Sequence, residues 1–188
     1  MKKVDLAKAI LVTGVAGFIG FHLAKKLLDD GAGNIIGFDN MNDYYDVRLK
    51  EERLNILKKY RNFQFVKGDL TDENLIDSLF IKHGIQIVVH LAAQAGVRYS
   101  LTNPRAYLNA NLIGFFNILD LSVKHQVEHL IYASSSSVYG YNEKIPFSTT
   151  DKTDNPVSLY AATKKSNELL AYSYANIYKI PVTGLRFF

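Results

Sequence analysis

The sequence contains no cysteine among its 188 residues. This absence excludes a disulfide framework, cysteine-ligated zinc and thiol catalysis, and it is compatible with a reducing compartment. The sequence also lacks an apolar run of transmembrane length, and its first residues do not have the basic, apolar and small-residue order of a signal peptide. It has no internal repeat and no low-complexity linker. We therefore expect a cytoplasmic protein without a membrane partner or a metal site.

The sequence also lacks a large excess of either positive or negative charge. The formal net charge is +4, from 22 Lys and Arg residues against 18 Asp and Glu residues. A small positive charge permits attraction to anions, including nucleic acid. The basic clusters at residues 25–26 and 58–61 fall in amphipathic helical stretches, where a solvated helix face explains them. We therefore expect no nucleic-acid partner.

Apolar β-rich runs alternate with amphipathic helical stretches, and 48% of the residues are hydrophobic. This pattern predicts an α/β fold, a doubly wound parallel sheet with helices on both faces in three layers. A chain of this length fills one core, so we predict one dinucleotide-binding Rossmann domain over residues 1–188. Predicted strands cover residues 9–13, 34–38, 63–66, 85–91, 130–133 and 182–186. Predicted helices cover residues 18–28, 72–82, 104–125 and 159–178.

Three glycines follow the first predicted strand at the spacing of a phosphate-binding turn. We predict a tight turn at Gly14, close approach of a pyrophosphate at Gly17, and packing of helix against strand at Gly20. The helix that begins at Phe18 would direct its first N–H groups at the phosphates. Asp39 ends the second predicted strand, 25 positions after Gly14, where a carboxylate accepts hydrogen bonds from ribose hydroxyls and repels a 2′-phosphate. The sequence therefore predicts NAD rather than NADP, with a turn or helix cap as the alternative role of Asp39.

Two further strand ends carry candidate cofactor residues. Asp69 follows the third predicted strand, where a carboxylate would meet the adenine amino group or stabilise a turn. Ala92 and Ala93 follow the fourth predicted strand. Small side chains there let the backbone pass close to the cofactor, and packing is the alternative explanation.

Tyr160 and Lys164 lie four residues apart in the last predicted helix, so their side chains point from one helix face. A cation beside a phenol favours the phenolate and lowers the pKa of the tyrosine, which makes it usable as a base near neutral pH. Alone, this spacing indicates little, because unrelated surface residues often produce it. Downstream of the glycine-rich turn, it predicts a proton-transfer couple beside a dinucleotide.

These motifs resemble the extended short-chain dehydrogenase/reductase family of nucleotide-sugar epimerases, and most closely its branch that acts on UDP-glucuronate. The resemblance spans essentially the whole chain. Its strongest stretches are residues 14–20, 38–46, 90–100, 132–140, 157–165 and 185–188. The segments Asn-Asp-Tyr-Tyr-Asp and Gln-Ala-Gly-Val-Arg separate this branch from the galactose epimerases more sharply than the glycines do.

The resemblance implies a catalytic set of Ser135, Tyr160 and Lys164. It implies contacts to NAD from Gly14, Gly17, Phe18, Ile19, Gly20, Asp39, Asn40, Asn42, Asp69, Leu70, Ala92, Ala93, Asn111, Tyr160 and Lys164. It also implies sugar contacts from Ser136 and Ser137. The alternative for the serines is that they only cap or turn the strand end.

Arg98 is a candidate for binding a substrate anion, because a guanidinium matches a carboxylate or phosphate in bidentate geometry. A structural ion pair is the alternative role of Arg98.

The activity implied by the resemblance is the 4-epimerisation of UDP-glucuronate to UDP-galacturonate through a transient 4-keto sugar. It would make the protein a homodimer with a UDP-sugar as partner, in polysaccharide biosynthesis. Alternatives are a UDP-N-acetylhexosamine or UDP-galactose 4-epimerase and a non-catalytic NAD-binding module. Dehydration is disfavoured, because residues 135–138 carry no carboxylate.

Members of this family continue past the Leu-Arg-Phe-Phe motif, here residues 185–188, into a smaller domain that holds the uridine diphosphate. We therefore expect this chain to be a truncated part of an enzyme. The C-terminal substrate domain would be largely absent, and the chain would have little or no activity of its own.

Overall fold

The sheet consists of six parallel strands in a computed structural model that describes residues 5–188. The strands are β1 Ala9–Thr13, β2 Asn34–Asp39, β3 Phe63–Lys67, β4 Ile87–His90, β5 His129–Ser135 and β6 Val182–Phe187. Their order is β3-β2-β1-β4-β5-β6, and Ile10 of β1 lies between Ile35 of β2 and Ile87 of β4. This order confirms the predicted doubly wound parallel sheet. It reverses direction between β1 and β4, the position at which such folds bind dinucleotides.

Helices cover both faces of the sheet. They are α1 Phe18–Asp29, α2 Val47–Leu57, α3 Glu73–His83, α4 Tyr99–Thr102, α5 Pro104–Tyr107, α6 Gly114–Lys124 and α7 Leu159–Tyr178. A π-helical segment, Leu108–Ile113, joins α5 to α6, and a 3₁₀ helix, Ser136–Tyr139, follows β5. Within residues 5–188, no helix combines the length and the apolar character needed to cross a membrane.

Two apolar cores, one on each face of the sheet, produce the three layers. Ile10 and Val12 of β1 belong to the core beneath α1 and α2, and Leu11 between them belongs to the core beneath α3, α6 and α7. Each such side chain contributes about 1.5–3 kcal/mol when it is fully buried. Because both faces are covered, the central strands are continuous apolar runs rather than alternating ones.

Two elements differ from the predictions. No bounds were predicted for helix α2, and residues 58–61, which were expected on a helical stretch, form a turn after it. The side chain of Asp46 caps α2 by accepting from the backbone N–H of Arg48 at 3.0 Å. Its buried face carries Lys50 together with Leu54 and Leu57, and a charged residue on that face weakens the apolar periodicity that predicts a helix. The single helix predicted over residues 104–125 is interrupted by the π-helical segment.

Candidate functional site

The glycine-rich turn between β1 and α1 forms one wall of a cleft at the carboxyl edge of the sheet. Gly14 has φ of +70°, which glycine adopts without strain. Its N–H donates to the carbonyl of Phe38 at 2.8 Å. A Cβ added to Gly14 would lie only 2.8 Å from the backbone nitrogen of Ala92 in the loop after β4. The turn therefore needs glycine both for its conformation and for its contact with that loop.

The N-terminus of α1 begins at this turn. Gly17 precedes the helix, and no side chain of a described residue caps it. The first N–H groups of an α-helix have no intrahelical acceptor, so those of Phe18 and Ile19 suit an anion such as a pyrophosphate. Gly20 lies behind the turn, where an added Cβ would overlap the carbonyl oxygen of Gly14. Gly20 therefore packs the helix against the turn itself, not against a strand as predicted.

The loops after β1, β2, β3 and β4 together line the cleft. The predicted cofactor residues among its lining are Gly14, Gly17, Asp39, Asn40, Asn42, Asp69, Leu70, Ala92 and Ala93. Its lining also includes residues for which no role was predicted, among them Tyr44, Tyr45, Lys50 and Gln94. The fold thus brings residues from four separate loops to one place.

Asp39 is nearly buried at the end of β2. Its carboxylate accepts from the backbone N–H of Ala16 in the glycine-rich turn at 3.1 Å and from that of Met41 at 2.9 Å. The turn-stabilising role that the sequence left open is therefore present. A carboxylate has about four acceptor positions, so these two bonds leave capacity for ribose hydroxyls.

Asp69 borders the same cleft after β3. It accepts hydrogen bonds from the backbone N–H of Thr71 at 3.0 Å and from the Asn40 side chain at 3.1 Å. Burial acts to raise the pKa of Asp69, but these hydrogen bonds outweigh it and hold the pKa below its ordinary value. Asp69 is therefore ionised at neutral pH and links the loops after β2 and β3.

The four consecutive serines have different surroundings. Ser134 is buried and donates to Glu168 at 2.7 Å, so its hydroxyl is used within the fold. Ser135 ends β5 and accepts from the backbone N–H of Ser137 at 3.1 Å and from its hydroxyl at 2.9 Å. Ser136 and Ser137 are half-buried in the 3₁₀ helix. Ser135 therefore does cap this helix, and of the four serines it is the one whose hydroxyl acts to lower the pKa of Tyr160.

Tyr160 and Lys164 lie in the first turns of α7, which Ser158 caps by accepting from the N–H of Ala161 at 3.0 Å. The Lys164 Nζ is 6.0 Å from the centre of the Tyr160 ring, and it donates to the carbonyl of Ala133 at 3.1 Å. Burial lowers the pKa of Lys164 to about 8. The couple is therefore a partly buried phenol beside a buried ammonium.

The expected lowering of the Tyr160 pKa is wrong for the protein without ligand. Burial raises the pKa of the phenol, and interaction with the Ser135 hydroxyl opposes this rise. Lys164 does not offset the burial, because its ammonium is directed at the Ala133 carbonyl. The four-residue spacing from Lys164 therefore does not by itself make Tyr160 a base near neutral pH.

The Tyr160 ring connects the couple to the cleft. It meets the edge of the Tyr107 ring, with the two ring centres 6.1 Å apart. The Tyr107 hydroxyl in turn donates to the carbonyl of Ala95 at 2.7 Å, and Ala95 lines the cleft. The catalytic candidates and the glycine-rich turn thus border adjoining space at the carboxyl edge of the sheet.

Asn111 has a different role from the predicted direct contact with NAD. It is fully buried in the π-helical segment, and its side chain exchanges two hydrogen bonds with the backbone of Gln94, at 2.8 and 3.0 Å. It also donates to the hydroxyl of Thr163 at 3.1 Å. Because these bonds use the amide, Asn111 holds the loop after β4 against α7, next to Lys164.

Arg98 is exposed directly before α4. Among residues 5–188 it takes part in no ion pair, so the structural alternative to the substrate role has no support there. The substrate role of Arg98 stays a prediction.

Residues 11–188 match the family model described as GDP-mannose 4,6 dehydratase. The chain belongs to this family. The match includes the glycine-rich turn and the Tyr160–Lys164 couple. Together with the similarity to 4-epimerases given below, it confirms the predicted resemblance to nucleotide-sugar epimerases of the extended short-chain dehydrogenase/reductase family.

Two curated relatives are similar over nearly the whole chain. Protein CapI from Staphylococcus aureus is 56% identical over 179 residues, which cover 95% of this chain and 53% of the relative. A probable UDP-glucuronate 4-epimerase from Rhizobium meliloti is 53% identical over 178 residues, which cover 95% and 52%. The chain therefore spans about half the length of these curated relatives.

A solved structure shares the fold. It is the crystal structure of UDP-glucuronic acid 4-epimerase from Bacillus cereus in complex with UDP-glucuronic acid and NAD. It is 34% identical, has a TM-score of 0.87, and the similarity covers 95% of this chain and 55% of that one. The architecture described above is thus that of known epimerases in this family.

A half-buried ion pair in this family member was not predicted. Arg186 of β6 donates from two nitrogens to both carboxylate oxygens of Glu168 on α7, at 2.8 and 3.0 Å. The Arg186 guanidinium also lies 4.8 Å from the centre of the Tyr139 ring. With the bond from Ser134, the pair joins α7 to the ends of β5 and β6. The Leu-Arg-Phe-Phe motif contains Arg186, but nothing in the sequence indicates that Glu168 is its partner.

Proposed function

We propose that the chain is the NAD-binding part of a nucleotide-sugar 4-epimerase that converts UDP-glucuronate to UDP-galacturonate. The observation that carries this proposal is the Tyr160–Lys164 couple, which the Tyr107 ring and Ala95 connect to a cleft bounded by the Gly14 turn and Asp39. Similarity to 4-epimerases, one solved with UDP-glucuronic acid and NAD, supports it.

The residues of the cleft fit NAD. The helix N-terminus at Gly17 suits the pyrophosphate. Gly14, which contacts the loop after β4, has no side chain that would cover the backbone of the turn. Asp39 retains acceptor capacity for ribose hydroxyls. When bound, NAD supplies the acceptance and return of a hydride at C4 of the sugar.

The chain's own residues would manage the proton. Tyr160 would take the proton from the sugar C4 hydroxyl, and Ser135 would hydrogen-bond to the same oxygen. Lys164, with a pKa of about 8, is mostly protonated at neutral pH and would bind a ribose hydroxyl of the cofactor. Turning the 4-keto sugar within the site before the hydride returns would give the epimer.

The carboxylate of glucuronate is the chemical feature that Arg98 suits. With a ketone at C4, this carboxylate belongs to a β-keto acid, which loses CO2 easily. An epimerase must keep the carboxylate out of alignment for that loss. An exposed guanidinium before α4 is matched in charge and in geometry to hold it.

We also propose two features of the whole protein. A second copy of the chain would cover an exposed apolar surface on the π-helical segment, α6 and α7, and the two copies would form a homodimer. A substrate domain beyond the described unit would close the sugar nucleotide against β6, where Leu185 and Phe188 are exposed.

The first test is to denature the purified chain and assay the supernatant for NAD and NADP. We expect NAD near one equivalent and no NADP. A protein that releases neither dinucleotide and takes up no added NAD would contradict the proposed binding.

The Tyr160→Phe substitution tests the chemistry, in a form of the protein that epimerises UDP-glucuronate. Loss of the phenol should lower kcat at least about a hundredfold, the usual scale for a missing general base. The NAD content should not change, because Phe keeps the ring against Tyr107. Retention of most of the rate would show that Tyr160 is not the base.

A further inference from the structure

Lys50 is a buried cation that the proposed mechanism does not use. Its side chain is only 6% exposed, and its Nζ donates to the backbone carbonyl of Asn42 at 2.9 Å and to the Asn42 side-chain oxygen at 2.8 Å. The same Nζ is 4.8 Å from the centre of the Tyr45 ring. A buried ammonium is costly unless it is well partnered, so a neutral residue would be the simpler choice for a role in packing alone.

Lys50 lies at one corner of the cleft, beside Asp39. The Lys50 Nζ is 3.9 Å from the nearer carboxylate oxygen of Asp39, and both residues line the cleft. One turn further along α2, Arg53 donates to the carbonyl of Ala16 at 3.1 Å and to the Tyr45 hydroxyl at 3.2 Å. Two cations of one helix face therefore approach the glycine-rich turn, and Asp39 is the carboxylate held between that turn and Lys50.

This corner combines the two signatures that usually distinguish dinucleotide sites. A carboxylate at the end of the second strand selects NAD through the ribose hydroxyls, whereas a nearby cation accommodates the 2′-phosphate of NADP. A site with only the carboxylate would repel the 2′-phosphate of NADP and would also contain no cation to bind it. Here the cation Lys50 is present, but the carboxylate of Asp39 lies next to it.

We propose that Lys50 is a latent binding group for the 2′-phosphate of NADP, which Asp39 masks. The charge of Asp39, rather than a lack of cations in the cleft, then sets the preference for NAD. This inference rests on the proposed function, because it requires that the adenosine end of a dinucleotide lies at Asp39.

The test is a cycle of variants of the 188-residue chain, freed of cofactor, with dissociation constants for NAD and NADP measured by isothermal titration calorimetry. We expect Asp39→Ser to weaken NAD binding and to tighten NADP binding at least tenfold relative to the unsubstituted chain. Adding Lys50→Met should abolish that gain. Lys50→Arg, which retains the charge, should keep most of it.

The matched control is Lys59→Met in the Asp39→Ser background. Lys59 is exposed just after α2, so its loss changes the net charge equally without changing the corner, and the gain should persist. Thermal melts establish that each variant is folded. Lys50→Gln, which keeps a donor for Asn42, serves as a second uncharged variant and should also abolish the gain.

Two results would overturn the inference while leaving the proposed function intact: NAD binding by the unsubstituted chain with no NADP gain in Asp39→Ser, or a gain that survives the loss of the Lys50 charge. A merely structural role for Lys50 would weaken both dinucleotides by the same factor and leave their ratio unchanged. Failure of the unsubstituted chain to bind either dinucleotide would instead contradict the proposed function, and the inference with it.

Discussion

At the scale of single residues, the notable group is Lys164, a cation held in a position that disfavours its charge. It is 3% exposed, and within residues 5–188 its one hydrogen-bond partner is the carbonyl of Ala133. Burial lowers its pKa from 10.5 to about 8. Between these values the unfolded chain binds more protons than the folded chain, so the free energy of unfolding rises with pH across this window.

We predict that Lys164→Met stabilises the folded chain at pH 7. The pKa change from 10.5 to about 8 corresponds to on the order of 3 kcal/mol, and loss of the bond to Ala133 offsets about 1 kcal/mol of it. The variant should therefore be about 2 kcal/mol more stable at pH 7 and have no such advantage at pH 10.5. Urea unfolding at both pH values measures this.

Lys59→Met is the control, because the exposed Lys59 should give no difference at either pH. An equally stable or less stable Lys164→Met protein at pH 7 would show that burial does not penalise the Lys164 charge.

Some residues of the site could be predicted because their chemistry is tied to local spacing. Gly14, Asp39 and the Tyr160–Lys164 couple are of this kind. Lys50 could not be predicted, because its environment is created by the approach of α2 to β2, and no local pattern reports that contact. The direction of the Tyr160 pKa was wrong for a related reason: spacing places Lys164 on the same helix face, but burial and the Ala133 carbonyl decide the balance.

At the scale of elements, the packing of α1 against the turn that precedes it fixes the phosphate site. A Cβ at Gly20 would overlap the Gly14 carbonyl, and the N-terminus of α1 would have to move away from the turn. The same movement would displace the first N–H groups of the helix from an anion bound at the turn.

We predict that Gly20→Ala destabilises the chain by about 1–3 kcal/mol, the usual range for overpacking, and weakens NAD binding at least about tenfold. Gly84→Ala is the comparison. Gly84 has φ of +57° and no atom near its missing side chain, and it ends α3 at the opposite edge of the sheet. The Gly84→Ala variant should be less stable than the unsubstituted chain but should have the same dissociation constant for NAD. Equal binding by both variants would contradict the role of Gly20.

The elements themselves were predictable where periodicity was strong. The six strands and α1, α3 and α7 lie close to their predicted positions. The π-helical segment was not predictable, because a π turn is rare, short and enclosed by α-helix, and no residue pattern marks it. The segment contains Asn111, whose side chain forms hydrogen bonds to both Gln94 and Thr163 and so links the loop after β4 to α7.

At the scale of the whole molecule, the apolar surface on the π-helical segment, α6 and α7 is the feature that most needs a partner. Its members are Leu112, Ile113, Phe116, Leu169 and Leu170. Three of them are large hydrophobic residues with more than 40% exposure, namely Ile113, Phe116 and Leu169. Contiguous exposed apolar surface of this kind is typical of an interface between subunits.

We predict that the chain is a dimer in solution and that Leu169→Glu makes it monomeric, because a carboxylate would be buried without a partner in the interface. Light scattering coupled to size exclusion measures both masses. Ile81→Glu is the control, because Ile81 is 69% exposed on α3, outside this surface, and should leave the dimer intact. A monomeric unsubstituted chain would contradict the proposed homodimer.

The ion pair between Arg186 and Glu168 has a consequence for how the chain is made. Synthesis proceeds from the N-terminus, so Glu168 leaves the ribosome eighteen residues before its partner does. During that interval α7 carries a carboxylate that the finished fold half buries, with Ser134 and Lys165 near it but without the two hydrogen bonds from Arg186. We therefore expect the helix that bears Tyr160 and Lys164 to be held more firmly once β6 pairs with β5, because Arg186 then binds both carboxylate oxygens of Glu168.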